Sequence, residues 1–266
     1  LLKAIKEYLP LANDYELTLE GRIHDLIPEN LEVWMNNGVN RMSIGIQSFN
    51  TEVRQMVGRL DTKETVLERL AALKAYGQCS VVIDLIYGLP GQTMEVWEQD
   101  LADLVSSGVD GADLYQLNVF DGSDLNRDIA SGKVPPAATT SMQGDMFEFG
   151  RTYLEARAYR RLSAAHWSAN NRERSLYNIL AKAGVPMFPF GSGAGGNVDG
   201  YGMMLHRALK PYEDMVSRGE KPFMALMKQS DLQPFVNQVV SQLEQGYLDI
   251  NTLVAMDSRL DELNWL

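Results

Sequence analysis

The chain has 266 residues, 45% apolar and 22% charged, a formal net charge of -11, and one cysteine, Cys79. The length suffices for one large domain, or one plus a smaller lobe. The acidic balance and scattered Lys and Arg argue against a nucleic-acid surface, and a single cysteine excludes an internal disulfide and any cysteine-built zinc or iron-sulfur site completed from this chain alone. No apolar run reaches the roughly 18 residues of a spanning helix, and Lys3, Lys6 and Glu7 stand where a signal peptide would be apolar, so a cytoplasmic protein without a membrane span is expected. The first residue, Leu1, already lies in helical periodicity, which reads as a chain that begins inside a larger fold.

The first half alternates short β-branched runs with helical patterns. Helices are expected over residues 1–9, 28–36, 62–76 (capped by Asp61) and 94–106, and strands over 15–19 (YELTL), 41–46 (RMSIGI), 81–86 (VVIDLI) and 112–118. Strand, helix, strand, helix implies an α/β fold with parallel pairing and crossover helices. Its chemistry is expected at the carboxyl ends of the strands. A Gly/Pro-marked connection over 131–141 precedes a helix over 142–160, a Gly-rich stretch (PFGSGAGGNVDGYG) and mostly helical segments. This divides the chain into 1–130 and a mainly helical accessory lobe, 131–266.

Polar residues recur at the strand ends: Glu20, Gln47, Asp84 and Asn118. A carboxylate in an apolar strand needs a partner, so Asp84 either pairs with Arg59 or Arg41 or belongs to a ligand pocket. In the second case acids suit ribose hydroxyls or an amino group, amides both donate and accept, and Arg59 takes a carboxylate in bidentate fashion. Such a set can hold a zwitterionic nucleoside such as S-adenosylmethionine (SAM).

The segments ELTLEGR, NNGVNRMSIGIQSFN, VGRLDTKETVLERL, IDLIYGLPGQT and DLYQLNVFDGSDL resemble the core of the radical SAM enzymes grouped with oxygen-independent coproporphyrinogen oxidase. The resemblance spans residues 15–125. It implies a partial TIM-like barrel holding βα units three to six of six, with Glu20, Gln47, Arg59 and Asp84 on SAM-contacting positions and Asn118 lining the same pocket. HWSANNRERSLYN and VPMFPFGSGAGGNVDGYG resemble one branch, the anaerobic haem-utilisation enzymes that methylate haem, open its ring to a linear tetrapyrrole and release iron. That resemblance implies SAM used as methyl donor and as radical source, a four-iron four-sulfur cluster in the intact enzyme, and a flavodoxin-type electron donor. The cluster cysteines of that pattern are missing here, so the chain alone is expected to lack radical activity. An incomplete barrel leaves an unpaired strand edge near 15–19 and is expected to associate unless covered. Coproporphyrinogen decarboxylation and haem binding or transfer on the same scaffold are the rival readings.

Further candidates are less determined. Gly191, Gly193 and Gly196 have G-x-G-x-x-G spacing, but no helix follows, so the stretch reads as a loop or as a backbone surface, including Gly195, that a second SAM or a flat macrocycle could approach. His166, beside Trp167, is either a packed residue or lies near the tetrapyrrole, where imidazole could ligate iron. Arg172 and Arg174 either pair with haem propionates or form a solvated helix start. Cys79 reads as a small buried hydrophobe.

Overall fold

The computed structural model describes residues 1–256 and divides between Arg174 and Ser175 into two compact units. In the first unit α1 (Leu2–Tyr8), β1 (Thr18–Gly21), α2 (Pro28–Asn36), β2 (Arg41–Gln47), α3 (Thr51–Met56), α4 (Lys63–Ala75), β3 (Ser80–Tyr87), α5 (Met94–Ser107) and β4 (Gly111–Gln116) follow in order. They are succeeded by α6 (Asp124–Ala130), α7 (Thr140–Glu155), β5 (Arg160–Arg161) and β6 (His166–Ser168). The sheet order is β1-β2-β3-β4-β6-β5, with β1 to β4 parallel and β6 antiparallel to both β4 and β5. This is the expected α/β architecture with crossover helices.

Strand alternation gives the sheet two faces. Met42, Ile44 and Ile46 of β2, Ile83 and Leu85 of β3, and Ala112 and Leu114 of β4 are buried beneath Leu31 and Met35 of α2, Leu70 and Leu73 of α4, Trp97 and Leu101 of α5, and Met146 and Leu154 of α7. Trp97 Nε1 donates to the Met146 carbonyl at 2.8 Å, so this large ring is buried without an orphaned donor. Gly150 lets α7 approach closely, because a Cβ there would stand 3.2 Å from both Leu114 and Trp97. The opposite face carries Glu20, Ser43, Gly45, Asp84, Asp113 and Tyr115, whose registers follow the same alternation, and the Gln47 side chain reaches it over Gly45 past a register shift.

Some boundaries differ from expectation. The cap of α4 is Thr62, whose side chain accepts from Thr65 N, because Asp61 lies one residue too early. The helix expected to reach 160 ends at Glu155, and Ala158 then turns through φ 61°. Residues 131–174, assigned from the sequence to the accessory lobe, supply α7, β5 and β6 to the first unit.

The second unit contains α8 (Leu176–Lys182), β7 (Gly195–Val198), β8 (Tyr201–Leu205), α9 (Leu209–Ser217), β9 (Phe223–Lys228), α10 (Gln233–Gln245) and α11 (Ile250–Met256). Beside these helices it has a three-stranded antiparallel sheet, β7-β8-β9. The Gly-rich stretch read as loop is a hairpin: β7 and β8 pair across Asp199-Gly200, both at positive φ, the conformation of a tight hairpin turn. Among the described residues no helix is long and apolar enough to cross a membrane.

Candidate S-adenosylmethionine site

The carboxyl ends of β1, β2 and β3 bring four of the expected residues together. Glu20 pairs in register with Ser43, and Gly45 with Asp84, so Glu20, Gly45 and Asp84 share one face, and the Gln47 side chain lies over Gly45 on that face. Arg59 joins them from the segment after α3: a Cβ on Gly45 would stand 3.2 Å from Gln47 Nε2 and 3.8 Å from Arg59 Nη2. Beside them opens a cavity of about 480 Å³ lined in part by Arg22, Gly45, Arg59 and Asp61. Asn118 lies past the end of β4, exposed, its Nδ2 donating to the Gln116 carbonyl at 3.4 Å.

The edge is held in an uncommon conformation. Gln47 has φ 70°, at a register shift between β2 and β3, which for a residue with a Cβ costs free energy unless neighbours enforce it. Arg54, buried under the turn, donates to the Ile46 carbonyl, to Ser48 O at 3.1 Å and to Asp61 O at 2.9 Å. Asp100 of α5 accepts from Ser48 Oγ, from Phe49 N at 2.7 Å and from Gln92 Nε2 at 3.0 Å, and Gln92 in turn accepts from Gly88 N. The loops after β2 and β3 are thus fastened through buried groups, and Gln47 is aimed by its surroundings.

The polar groups at this edge are incompletely satisfied. Gln47 Oε1 is buried with no hydrogen-bond partner among the described residues. Among the described residues Asp84 accepts only from Ser43 Oγ, at 3.3 Å. Burial, then the charge of Asp113, pushes its carboxyl up to about 6, with the Ser43 hydrogen bond partly offsetting both. Of the two readings of Asp84, the ion pair with Arg59 or Arg41 is not formed: Arg59 makes no ion pair among the described residues, and Arg41 pairs with Glu173 at 3.0 Å.

Deeper on the same face runs an ionic chain that the sequence did not reveal. Glu173, fully buried, accepts from Arg41 Nε, from Ser80 Oγ at 2.9 Å and from His166 Nε2 at 3.2 Å, and His166 Nδ1 faces Asp113 at 2.8 Å. Burial would lower the imidazole, yet hydrogen bonds and charge from Asp113 and Glu173 outweigh it and hold it up at about 9. Burial likewise opposes ionisation of Glu173, but His166 and Arg41 bring it down to about 2. Both nitrogens of His166 are therefore occupied, and neither is free to ligate iron.

Other candidates are not gathered here. Arg172 donates to the carbonyls of Gly77 and Cys79, before the start of β3, and Arg174 to Asp14 O at 3.4 Å, so both lie at the amino ends of the strands, opposite the SAM candidates. Gly191, Gly193 and Gly195 belong to the second unit. Cys79 is buried and its thiol is pushed up to about 11 by burial.

A model of the Radical SAM superfamily matches residues 2–104. Residues 2–104 belong to a radical SAM domain. The chain is 36% identical to an anaerobilin synthase of Escherichia coli O157:H7 across 87% of its length, and 29% identical to the heme chaperone HemW of Lactococcus lactis across 93%. It spans 52% of the first relative and 69% of the second. The solved structure of coproporphyrinogen III oxidase (HemN) from Escherichia coli, a radical SAM enzyme, superposes with a TM-score of 0.81 at 20% identity, covering 98% of this chain and 62% of that one, which fixes the fold as the TIM-like radical SAM type.

Radical SAM proteins use SAM and a four-iron four-sulfur cluster, and the two fit this chain differently. SAM suits an edge with an orphaned amide oxygen, an unpaired guanidinium, two carboxylates and a glycine whose missing Cβ leaves room. The cluster does not fit, since Cys79 is the single cysteine and no group of three His, Cys, Asp or Glu among the described residues could hold a metal.

Proposed function

We propose that these residues form the SAM-orienting part of a radical SAM enzyme that methylates haem and opens its macrocycle to a linear tetrapyrrole, releasing iron. The observation that carries the reading is the convergence of Gln47, Arg59 and Asp84 on Gly45, with Glu20 on the same face opposite Ser43 and Gln47 Oε1 without a hydrogen-bond partner among the described residues. Identity to anaerobilin synthase supports the choice of reaction. Arg59 takes the amino-acid carboxylate, Asp84 and Glu20 accept from amino or hydroxyl groups, Gln47 bonds a remaining polar edge, and Asn118 closes the rim. SAM supplies a methyl group and the precursor of an organic radical, while the protein binds, orients and excludes water. Ligands for the cluster come from outside these 266 residues, and the chain by itself is inactive.

Two rival reactions draw on particular relatives: decarboxylation of coproporphyrinogen from the HemN fold, and haem binding or transfer from the likeness to HemW. One experiment separates them. The chain, and separately the longer protein carrying the cluster segment, are reconstituted anaerobically with iron and sulfide and given SAM, a flavodoxin-type reductant and either haem or coproporphyrinogen. Haem loss with deoxyadenosine formation by the longer protein alone is the expected result. Haem turnover by the chain alone overturns the assignment of the cluster, decarboxylation selects the first rival, and stable haem binding without turnover by either protein selects the second.

A further inference from the structure

The second unit contains a cavity of about 360 Å³, in the range of small-molecule sites, built mainly of apolar side chains. Phe188, Phe190, Met203, Tyr212 and Phe223 line it, with Lys221 at its margin. The rings of Phe188 and Phe190 are 69% and 70% exposed, so two phenyl groups two residues apart are presented to solvent.

Their presentation is ordered. The segment is pinned before the rings by Met187, whose N–H donates to Asn197 O at 2.8 Å while Asn197 N–H returns the bond at 3.0 Å. It is pinned after them by Gly193 N–H to His206 O at 2.8 Å and by Ser192 Oγ to Arg207 O at 2.9 Å. His206 N–H in turn donates to Pro222 O at 3.0 Å, which brings the start of β9 to the same end of the sheet. The interval from 187 to 193, residues 191 and 193 included, is a fastened scaffold for the rings. Gly191 and Gly193, both at positive φ, shape its turn.

Charge distinguishes the margin. Lys210 and Arg218 nearby are paired with Asp214 and Glu220. Lys221 in the cavity wall and Arg207, packed 3.7 Å from the space a Cβ on Gly193 would fill, have no carboxylate partner among the described residues. Preformed aromatic walls with an unpaired lysine match a flat, apolar ligand bearing a carboxylate, since rings stack on an extended π surface and the cation neutralises an acid at its edge.

We infer that this cavity holds one carboxylate-bearing edge of a porphyrin-type macrocycle. The inference rests on the tetrapyrrole reading above and places the substrate contact on Phe188, Phe190 and Lys221, with Arg172 and Arg174 taking no part.

The test titrates the 266-residue chain with protoporphyrin, which has no iron and needs no axial ligand, following porphyrin fluorescence, and repeats it with the dimethyl ester. Saturable binding of the diacid is expected, weakened about tenfold by esterification and about tenfold in the Phe188→Ala/Phe190→Ala double variant. Lys221→Glu, a surface charge reversal that leaves the apolar scaffold intact, is expected to weaken binding at least about fivefold, with SAM affinity at the wild-type level. No saturable binding to the wild type, or equal affinity in wild type and Lys221→Glu, overturns the inference. If porphyrin binding is lost in the variants but the longer protein consumes no haem, the site stands and the reaction reading falls.

Discussion

On one face of one sheet lie two sets of charged and polar groups that are satisfied to different degrees. In the chain of Arg41, Glu173, His166 and Asp113 every ionised group has a bonded partner. At the carboxyl edge, one short step along the same strands, among the described residues Gln47 Oε1 has none, Asp84 has one hydroxyl, and Arg59 lies in the field of Arg22, Asp84 and Asp61 without an ion pair. A buried ion is tolerated when its partners replace water, and a set closed in this way has nothing left to offer a ligand. The open set retains that capacity. The contrast supports the proposal that the first group serves architecture and the second binding.

Removing a member of the closed set has the largest expected effect. Glu173→Gln leaves Arg41 and His166 as buried, poorly compensated cations and is expected to cost about 3 to 5 kcal/mol in urea unfolding, with SAM affinity of the folded fraction retained. A loss under about 1 kcal/mol would show that the ionic chain contributes little to stability.

The pH dependence of stability sharpens the same point. His166 is held above its ordinary value, so its contribution is full below pH 6.5 and is lost as pH rises through about 9. Glu173 is held below its ordinary value, so its contribution is full above pH 4.5 and is lost as pH falls toward about 2. The two share one interaction, counted once at about 3 kcal/mol on the alkaline side. Unfolding free energy is therefore expected to fall between pH 6.5 and about 10, and His166→Gln to flatten that decline.

In the open set the effects move from stability to binding. Asp84→Asn is expected to leave stability at pH 7 unchanged or raise it by about 1 kcal/mol, because it removes a carboxylate that burial disfavours, and to weaken SAM about tenfold. Wild-type SAM affinity should fall as pH drops below about 6, where Asp84 takes up a proton. The smallest effect is expected for Gln47→Gly, which relieves φ 70° and gains up to about 1 kcal/mol while SAM affinity declines severalfold. Calorimetric titration beside unfolding measures both quantities on each protein.

Much of the first unit was legible in the sequence because strand periodicity and residue order determine which side chains reach the carboxyl edge: Glu20, Gln47 and Asp84 follow from YELTL, RMSIGI and VVIDLI. Arg59 is in no strand, and its place rested on family resemblance. Glu173 and Arg41 were hidden because the bond that matters joins residues 132 positions apart, and RER reads equally well as a solvated turn. Asp113 offered a missed signal, a second acid two registers into an otherwise apolar strand beside Asp84. Strands β5 and β6, of two and three residues, are too short to show alternation, so the first unit was ended early. The glycines masked β7 and β8, since Gly is depleted in strands and the hairpin pattern depends on its partner β9.

The most direct test is calorimetric titration of the 266-residue chain with SAM at pH 7.5, run in parallel on wild type, Asp84→Asn and Glu173→Gln. The account predicts saturable one-site binding by the wild type, about tenfold weaker binding by Asp84→Asn at undiminished stability, and wild-type affinity in the folded fraction of Glu173→Gln. Equal affinity in wild type and Asp84→Asn, with loss confined to Glu173→Gln, would contradict it and move the binding role to the closed set.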